Sequence, residues 1–584
     1  MLRVRTIYAS TAQSAAAYYT RYLTDAPGEV PGVRTGDQAV GLGLTGEVDG
    51  DDLLAVLEGR DPGSGTPLGR LLTDRTLANG RVVKAVAGFD ATFSAPKSLS
   101  VLWALTQDDR LLAALDIAVR AVLSHLERFG STTRVRRGGR LLHPDSQGLT
   151  MAMFRQTTSR SDDPQLHTHV VVSAKVQTGD GRWLALDARY LKQYQRMLGG
   201  LYQSVLRNEL AHRFGIAWGS IEHGQAEILG VPDELREVFS KRSEQIDHAV
   251  AAKVADFVGR QGRDPNHWEL AAIKREAAVD TRSHKSGNGV AELVTRWHDE
   301  AEAIGWDGLA LIDAVEQAGR QLPAEPQSVN VEEIIATLST GGSTWNRANI
   351  VSALCDVARP DRRADGERWA EVIERAVDQI IERCVELDPD HAAAPRRRSD
   401  GRSMWLEPTS PHITTDEILH EEELVLTWAL DAQTDDPTPS TAVQTAGLDV
   451  LQADAAAAVA GNDRLGLVIG PAGAGKTTML RAAVEQLNAD GWAVFGVAPS
   501  AKAARVLERE TGVPADTLAK LLHEWHREDR PPAARYQLPA GTTVLVDEAG
   551  MVSTPALARL VTAWLETNDR RAALKRRIDE LKKN

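Results

Sequence analysis

Cysteine is almost absent from this 584-residue sequence: only Cys355 and Cys384 occur, with no CxxC or Cys/His spacing around them. Neither a disulfide framework nor a structural zinc site is indicated, and a reducing compartment is expected. No stretch approaches the roughly 18 apolar residues of a membrane span, and Met1-Leu2-Arg3-Val4-Arg5 leads into no long apolar run. A cytoplasmic chain with no membrane attachment of its own is therefore expected. Aromatic residues are scarce at 5%, which fits a helix-rich, alanine-rich chain. Positive charge is in deficit too, the net charge being −14. That weighs against nucleic-acid binding by the whole surface but leaves local basic patches open. What is present, 42% hydrophobic and 25% charged residues, is ordinary globular composition. The length exceeds what one core organises, so several domains are expected.

Short β-rich runs at 82–93 and 169–176 mix with amphipathic helices such as 196–214, which predicts an α+β domain over residues 1–310. A mostly helical connecting domain is expected over 311–440, ending in a linker rich in Asp, Thr and Pro at 433–440. From 441 to 568 apolar strands at 465–469, 493–497 and 543–546 alternate with helices, the rhythm of a parallel sheet. A charged, helix-like tail at 569–584 follows. No repeat of fixed period interrupts this order.

The string Gly470-Pro471-Ala472-Gly473-Ala474-Gly475-Lys476-Thr477 matches G-x-x-x-x-G-K-[ST], between an apolar run and a helical run beginning near Thr478. Its glycines let backbone N–H groups curl around a phosphate, Lys476 would neutralise phosphate charge, and Thr477 would hold Mg²⁺. Further on, Val544-Leu545-Val546 ends in Asp547-Glu548, where one carboxylate can reach Mg²⁺ and the other can orient water. A surface acidic pair is the alternative. With Ala498-Pro499-Ser500-Ala501-Lys502-Ala503-Ala504 and Asp547-Glu548-Ala549-Gly550-Met551, the region resembles the first motor lobe of superfamily-1 helicases of the RecD-like branch. That resemblance implies a RecA-like P-loop domain binding ATP and Mg²⁺ through Gly470, Gly473, Gly475, Lys476, Thr477, Thr478, Asp547 and Glu548. The family's Gly-Asp-x-x-Gln motif has no counterpart, since no glycine or glutamine follows Gly550. An incomplete motor lobe is expected. Ala455 stands where that family has an adenine-reading glutamine, with Gln452 close by.

In Asp163-Pro164-Gln165-Leu166-His167-Thr168-His169-Val170 the two histidines are one residue apart in a β-prone run, so both project from one face of a strand. Such a pair can share a divalent metal that polarises a phosphoryl oxygen, or it can be a structural pair on a half-buried strand. Tyr18 and Tyr22, in Ala15-Ala16-Ala17-Tyr18-Tyr19-Thr20-Arg21-Tyr22, lie one turn apart if this stretch is helical. They can be core aromatics, or a phenol among them can attack a phosphodiester.

These signatures, with Gly88-Phe89-Asp90-Ala91-Thr92-Phe93-Ser94-Ala95-Pro96-Lys97-Ser98, Thr158-Ser159-Arg160 and Phe239-Ser240-Lys241-Arg242-Ser243-Glu244-Gln245, stand in the order of MobF-class conjugative relaxases. Residues 1–310 thus resemble that class of the HUH endonuclease superfamily. The resemblance implies an HUH-type relaxase domain with a central antiparallel sheet, and nicking of single-stranded DNA at a transfer origin through a covalent 5′-phosphotyrosine. Tyr18 matches the nucleophile, with Tyr19 and Tyr22 as its relatives and Asp90 as the acidic residue beside them. His167 and His169 match two metal ligands, and Lys97 and Arg160 are expected to meet DNA. The family's third histidine is replaced by Gln156, whose amide oxygen suits Mg²⁺ or Mn²⁺ better than Zn²⁺, with His143 as an alternative ligand. Relaxosome accessory proteins and a type IV secretion coupling protein are the implied partners. The rival expectations are a non-catalytic DNA-binding remnant, an ATP-dependent DNA motor and a rolling-circle replication initiator.

Overall fold

A computed structural model describes residues 1–21, 31–281, 289–321, 330–387, 394–433, 437–471, 473–527, 529–539 and 541–565. Tyr22, the tail at 569–584 and part of the linker at 433–440 lie outside the described residues. The chain divides into two compact units, one built from Met1–Ile334, Asn346–Glu382 and Asp388–Pro411, the other from Ile335–Trp345, Arg383–Leu387 and His412–Asn584. No described helix is long and apolar enough to cross a membrane.

The first unit is organised by a five-stranded sheet of β1 (Leu2–Tyr8), β2 (Val33–Thr35), β3 (Val86–Ser94), β4 (Met151–Thr158) and β5 (Pro164–Ser173). Their spatial order is β1-β3-β5-β4-β2, and every pairing is antiparallel. Side chains alternate between faces, so the register sorts the sheet into two layers. Phe93 on β3 meets Tyr202 at 5.3 Å between ring centroids, and Arg155 on β4 pairs with Asp116 at 2.6 Å. These contacts bind one face to the long helices Asp109–Gly130 and Gln195–Phe214. The opposite face is covered at one end by α1 (Ala12–Arg21) and the helix Gly50–Glu58, through a core of Ile7, Ala16, Tyr19, Leu53, Leu57, Phe154 and Val171.

Residues 346–382, read from the sequence within a connecting domain, pack into this same unit. Trp369 donates its indole N–H to Ser204 Oγ at 3.1 Å, and Gly366 N–H reaches Glu209 at 2.6 Å. Buried His125 meets Glu374 at 2.6 Å, which ties the same segment to the helix Asp109–Gly130.

In the second unit β6 (Val494–Ala498) runs parallel to β7 (Ala515–Thr517) on one side and β8 (Thr543–Val546) on the other. All five residues of β6 are buried, as a central strand between helical layers requires. The run at 465–469 does not form the expected strand: it is irregular, and Ile469 is fully exposed. An apolar run becomes a strand only where a neighbour completes its hydrogen bonds. Among the described residues β8 is the end strand of the sheet, and the run at 465–469 pairs with neither it nor any other strand.

Candidate functional site

The histidine motif lies in β5, the central strand, and the register assembles the other candidates around it. His169 stands opposite Thr92 on β3 and Phe154 on β4, and His167 opposite Ser94 and Gln156. Paired residues share a face, so His167, His169, Gln156, Asp90, Thr92 and Ser94 all point to the side that carries α1. Arg3 and Arg5 on β1 pair with Thr92 and Asp90 and join that face. The β4–β5 turn that fixes this register is held by buried Trp297, whose indole N–H donates to Asp162 O at 2.8 Å. Arg160 lies in that turn, half-buried.

Asp90 Oδ1 accepts from His169 Nδ1 at 2.9 Å and from the Thr92 hydroxyl at 3.2 Å. His167 Nδ1 donates to Gln165 O at 2.8 Å. Both imidazoles thus carry their proton on Nδ1, which leaves Nε2 as the lone-pair nitrogen of each. The two rings lie 5.2 Å apart between centroids. This is the way ligating histidines are oriented by acceptors behind them, and the donor set of two imidazoles and the Gln156 amide suits a divalent ion. Gln156 itself is buried, 2% exposed. His143 does not join it: its imidazole is held by Asp187 and Arg189. Among the described residues no three His, Cys, Asp or Glu side chains gather into a metal site.

The helix α1 brings two of the candidate tyrosines to the same place in different surroundings. Tyr19 is 4% exposed, stacked on Phe154 at 5.1 Å and 5.5 Å from the His169 ring. Burial, the charge of Asp90 and a hydrogen bond to it push the Tyr19 phenol well above its ordinary pKa. Tyr18 is half-buried and meets His169 edge-on at 6.3 Å. Burial pushes the Asp90 carboxyl up, but the hydrogen bond and charge of His169, with hydrogen bonds from Tyr19 and Thr92, outweigh it and leave it below its usual value.

Lys97 opens the helix Lys97–Thr106 and lines a cavity of about 330 Å³ with Ser100, Asp163, Gln165 and Arg242. Its ammonium donates to Pro164 O at 3.0 Å. Burial lowers its pKa to about 8 against the opposing pull of Asp163 and Glu227. Arg3 and Arg5 were not singled out from the sequence, although the alternation Leu2-Arg3-Val4-Arg5 carries the signal of two cations on one strand face.

In the second unit Gly473 and Gly475 take φ of +80° and +70°, a backbone region that favours glycine. Thr477 and Thr478 lie in the first turn of the helix Lys476–Ala489, and the Lys476 ammonium donates to Gly470 O at 2.8 Å. The Gln452 amide donates to Ala474 O at 3.0 Å, so it is this glutamine that touches the loop. Asp547 follows the C-terminal end of β8, its N–H bonded to Val497 O at 2.9 Å, and Glu548 is exposed with φ of +54°.

Residues 4–304 match the TrwC relaxase family, and residues 447–573 match an AAA domain. Over 408 residues the chain is 31% identical to the multifunctional conjugation protein TraI of Escherichia coli, covering 65% of this chain and 21% of that protein. The chain therefore spans about a fifth of the length of that relative. Over 103 residues it is 45% identical to the probable conjugal transfer protein TraA of Sinorhizobium fredii, covering 18% of this chain and 9% of that one. A solved structure of the conjugative relaxase TrwC in complex with oriT DNA aligns at 30% identity and a TM-score of 0.45, covering 53% of this chain and 100% of that one.

Proposed function

Because the chain belongs to the TrwC relaxase family, we propose that it nicks and rejoins single-stranded DNA at a transfer origin, with Tyr18 as the nucleophile. The phenol oxygen of Tyr18 attacks the scissile phosphorus, the P–O3′ bond breaks, the 5′ phosphate stays on the tyrosine and the 3′ oxygen leaves as a hydroxyl. The phosphodiester's energy is kept in the phosphotyrosine, so the step needs no ATP. The observation that carries this reading is the single sheet face on which Tyr18 meets His169 while both histidines present Nε2. His167, His169 and the Gln156 amide oxygen would hold a divalent ion, which when bound withdraws charge from a phosphoryl oxygen. Asp90 accepts three hydrogen bonds and sits low in pKa, which makes it a poor base and a good anchor for His169; it is a positioning residue. Arg3 and Arg5 supply positive charge to the same face, where a DNA backbone would lie. Arg160, in the adjoining turn, is a further DNA contact. Lys97 serves DNA indirectly, by holding Pro164 O at the start of the histidine strand. The test is an SDS-resistant adduct between the protein and labelled single-stranded origin DNA, formed with Mg²⁺ or Mn²⁺ and suppressed by EDTA. Absence of an adduct with every metal tried would overturn the reading.

One observation favours a second reading, DNA binding without cleavage: an amide stands where the family has an imidazole, and no third strong ligand replaces it among the described residues. The Gln156→His change separates the two. On the nicking reading the natural protein forms adducts, and the variant lowers the transition-metal concentration needed by about tenfold. On the second reading only the variant forms them.

The second unit is proposed to bind ATP with Mg²⁺ at the loop formed by Gly470, Gly473, Gly475, Lys476, Thr477 and Thr478, near the carboxylates Asp547 and Glu548. Lys476→Ala removes one charge-assisted hydrogen bond to phosphate, so nucleotide affinity is expected to fall about tenfold in a fluorescent-nucleotide titration. Adduct formation in the same variant is expected to be unchanged; a parallel loss would tie cleavage to nucleotide.

A further inference from the structure

Two residues before His167, on the same face of β5, Gln165 forms one wall of the cavity of about 330 Å³ that Lys97 also lines. Residues two apart on a strand are separated by about 7 Å, so the cavity adjoins the histidine pair. Its other walls come from the helix Lys97–Thr106, from Asp163 just before β5, and from Arg242 and Ser243 in the first turn of the helix Lys241–Gln261. The volume lies in the range of small-molecule sites, about 300–1,000 Å³. Two of the lining groups are chemically unfinished. Asp163 is 1% exposed, and its Oδ2 accepts the Arg242 N–H at 3.2 Å. Its Oδ1 accepts no hydrogen bond among the described residues, the Lys241 ammonium lying 3.8 Å away. A buried carboxylate oxygen without a donor is destabilising, and on a cavity wall it marks where a donor can arrive with a ligand. The half-buried Gln165 side-chain amide makes no hydrogen bond among the described residues, and it offers one acceptor oxygen and two N–H donors.

We propose that this cavity is a guanine pocket, with Asp163 Oδ1 and the Gln165 amide reading the edge of the base. The proposal deepens the nicking reading, on which it rests for one source of the guanine, a nucleotide flanking the scissile phosphate; a free guanine nucleotide is the other. Guanine is the base with two adjacent donor groups on one edge, N1–H and the 2-amino group. Asp163 Oδ1 takes N1–H and the Gln165 amide oxygen takes the 2-amino group, which satisfies both unfinished groups at once. O6 and N7, the two acceptors left on the base, suit the cationic remainder of the lining, Lys97 and Arg242. Adenine and cytosine present a ring nitrogen acceptor where guanine has N1–H, and a lone pair facing a carboxylate is repelled. Thymine has the imide N–H but no amino group for Gln165. A base lodged here touches both β5 and the start of the helix Lys241–Gln261, so it bridges the strand that carries the histidines to a separate helical element.

The test titrates the full chain, in EDTA so that nothing is cut, with thymidine strands of about 12 nucleotides carrying one central guanosine, adenosine, cytidine or inosine. Anisotropy is expected to show the guanosine strand binding about tenfold tighter than the unsubstituted one. Inosine, which lacks the 2-amino group, should lose most of that gain. Gln165→Leu should reduce the preference to about threefold. Asp163→Asn keeps an acceptor for the Arg242 N–H and turns an NH₂ toward the cavity, so the preference should move from guanosine to adenosine or cytidine. A purely structural role for Asp163 would weaken all strands alike. Calorimetry with free 5′-dGMP separates the sources: binding of dGMP without any strand preference identifies a free nucleotide, and strand preference without dGMP binding identifies a base of the DNA. Equal affinity for all strands together with no dGMP binding, or a guanosine preference that survives in both variants, would overturn the proposal. Absence of covalent adduct with metal present, while the guanosine preference stands, would sink the nicking reading alone.

Discussion

Tyr18→Phe is expected to reduce covalent protein–DNA adduct to background, a loss of about a thousandfold or more, while Tyr19→Phe retains most of it. The two side chains are neighbours in sequence but not in chemistry. Tyr19 is 4% exposed, stacked on Phe154, and donates to a carboxylate that makes loss of its own proton harder. A phenol held in that state cannot meet a phosphate or release a proton readily. Tyr18 is half-buried and meets the same imidazole edge-on, at 6.3 Å between ring centroids. Tyr19→Phe keeps the stacking and removes one hydrogen bond to Asp90, so its effect should be a modest one on metal-dependent cleavage. Mass spectrometry of the adduct peptide checks the assignment. An adduct that survives in Tyr18→Phe and maps to Tyr19 would refute it, and one that maps to Tyr22 would move the nucleophile to that residue.

Much of this site can be read from the amino acids because strand geometry is local. A His-x-His in a β-prone run must put both rings on one face, and β5 does so. Which residues face those rings is decided by pairing between distant segments. Gln156 opposite His167, and Asp90 one pair along from Thr92 and His169, follow from a register that no spacing in the sequence encodes. The difference between Tyr18 and Tyr19 is likewise tertiary, since a helix offers both faces until Phe154 covers one. The loop at Gly470 to Thr477 was legible because its glycines are needed for local backbone reasons, whereas the strand expected before it at 465–469 depended on a neighbour and is absent. Arg3 and Arg5 went unnoticed because an arginine on a strand edge is ordinarily a solvated charge. Only the pairing of β1 with β3 brings them beside Asp90.

Asp90→Asn tests the other half of the site, and it should cost about 10- to 100-fold in metal affinity with little change in rate once metal saturates. The native carboxylate receives His169 Nδ1–H, the Thr92 hydroxyl and the Tyr19 hydroxyl, and it is this acceptor that fixes the proton of His169 on Nδ1. An asparagine has one acceptor oxygen and an NH₂ that would confront the donors of its neighbours. The imidazole then loses both its charge partner and its preferred tautomer, and Nε2 ceases to be a dependable ligand. The measurement is adduct yield against Mn²⁺ concentration for both proteins, with metal affinity taken separately by calorimetry. A rightward shift of the curve with the plateau preserved is the expected result. If the plateau falls by about 10²- to 10⁴-fold while the metal titration stays in place, Asp90 is instead taking the proton of Tyr18 directly, the role of a general base. The three hydrogen bonds it accepts weigh against that outcome, because they stabilise the charged carboxylate and so make it a weaker base.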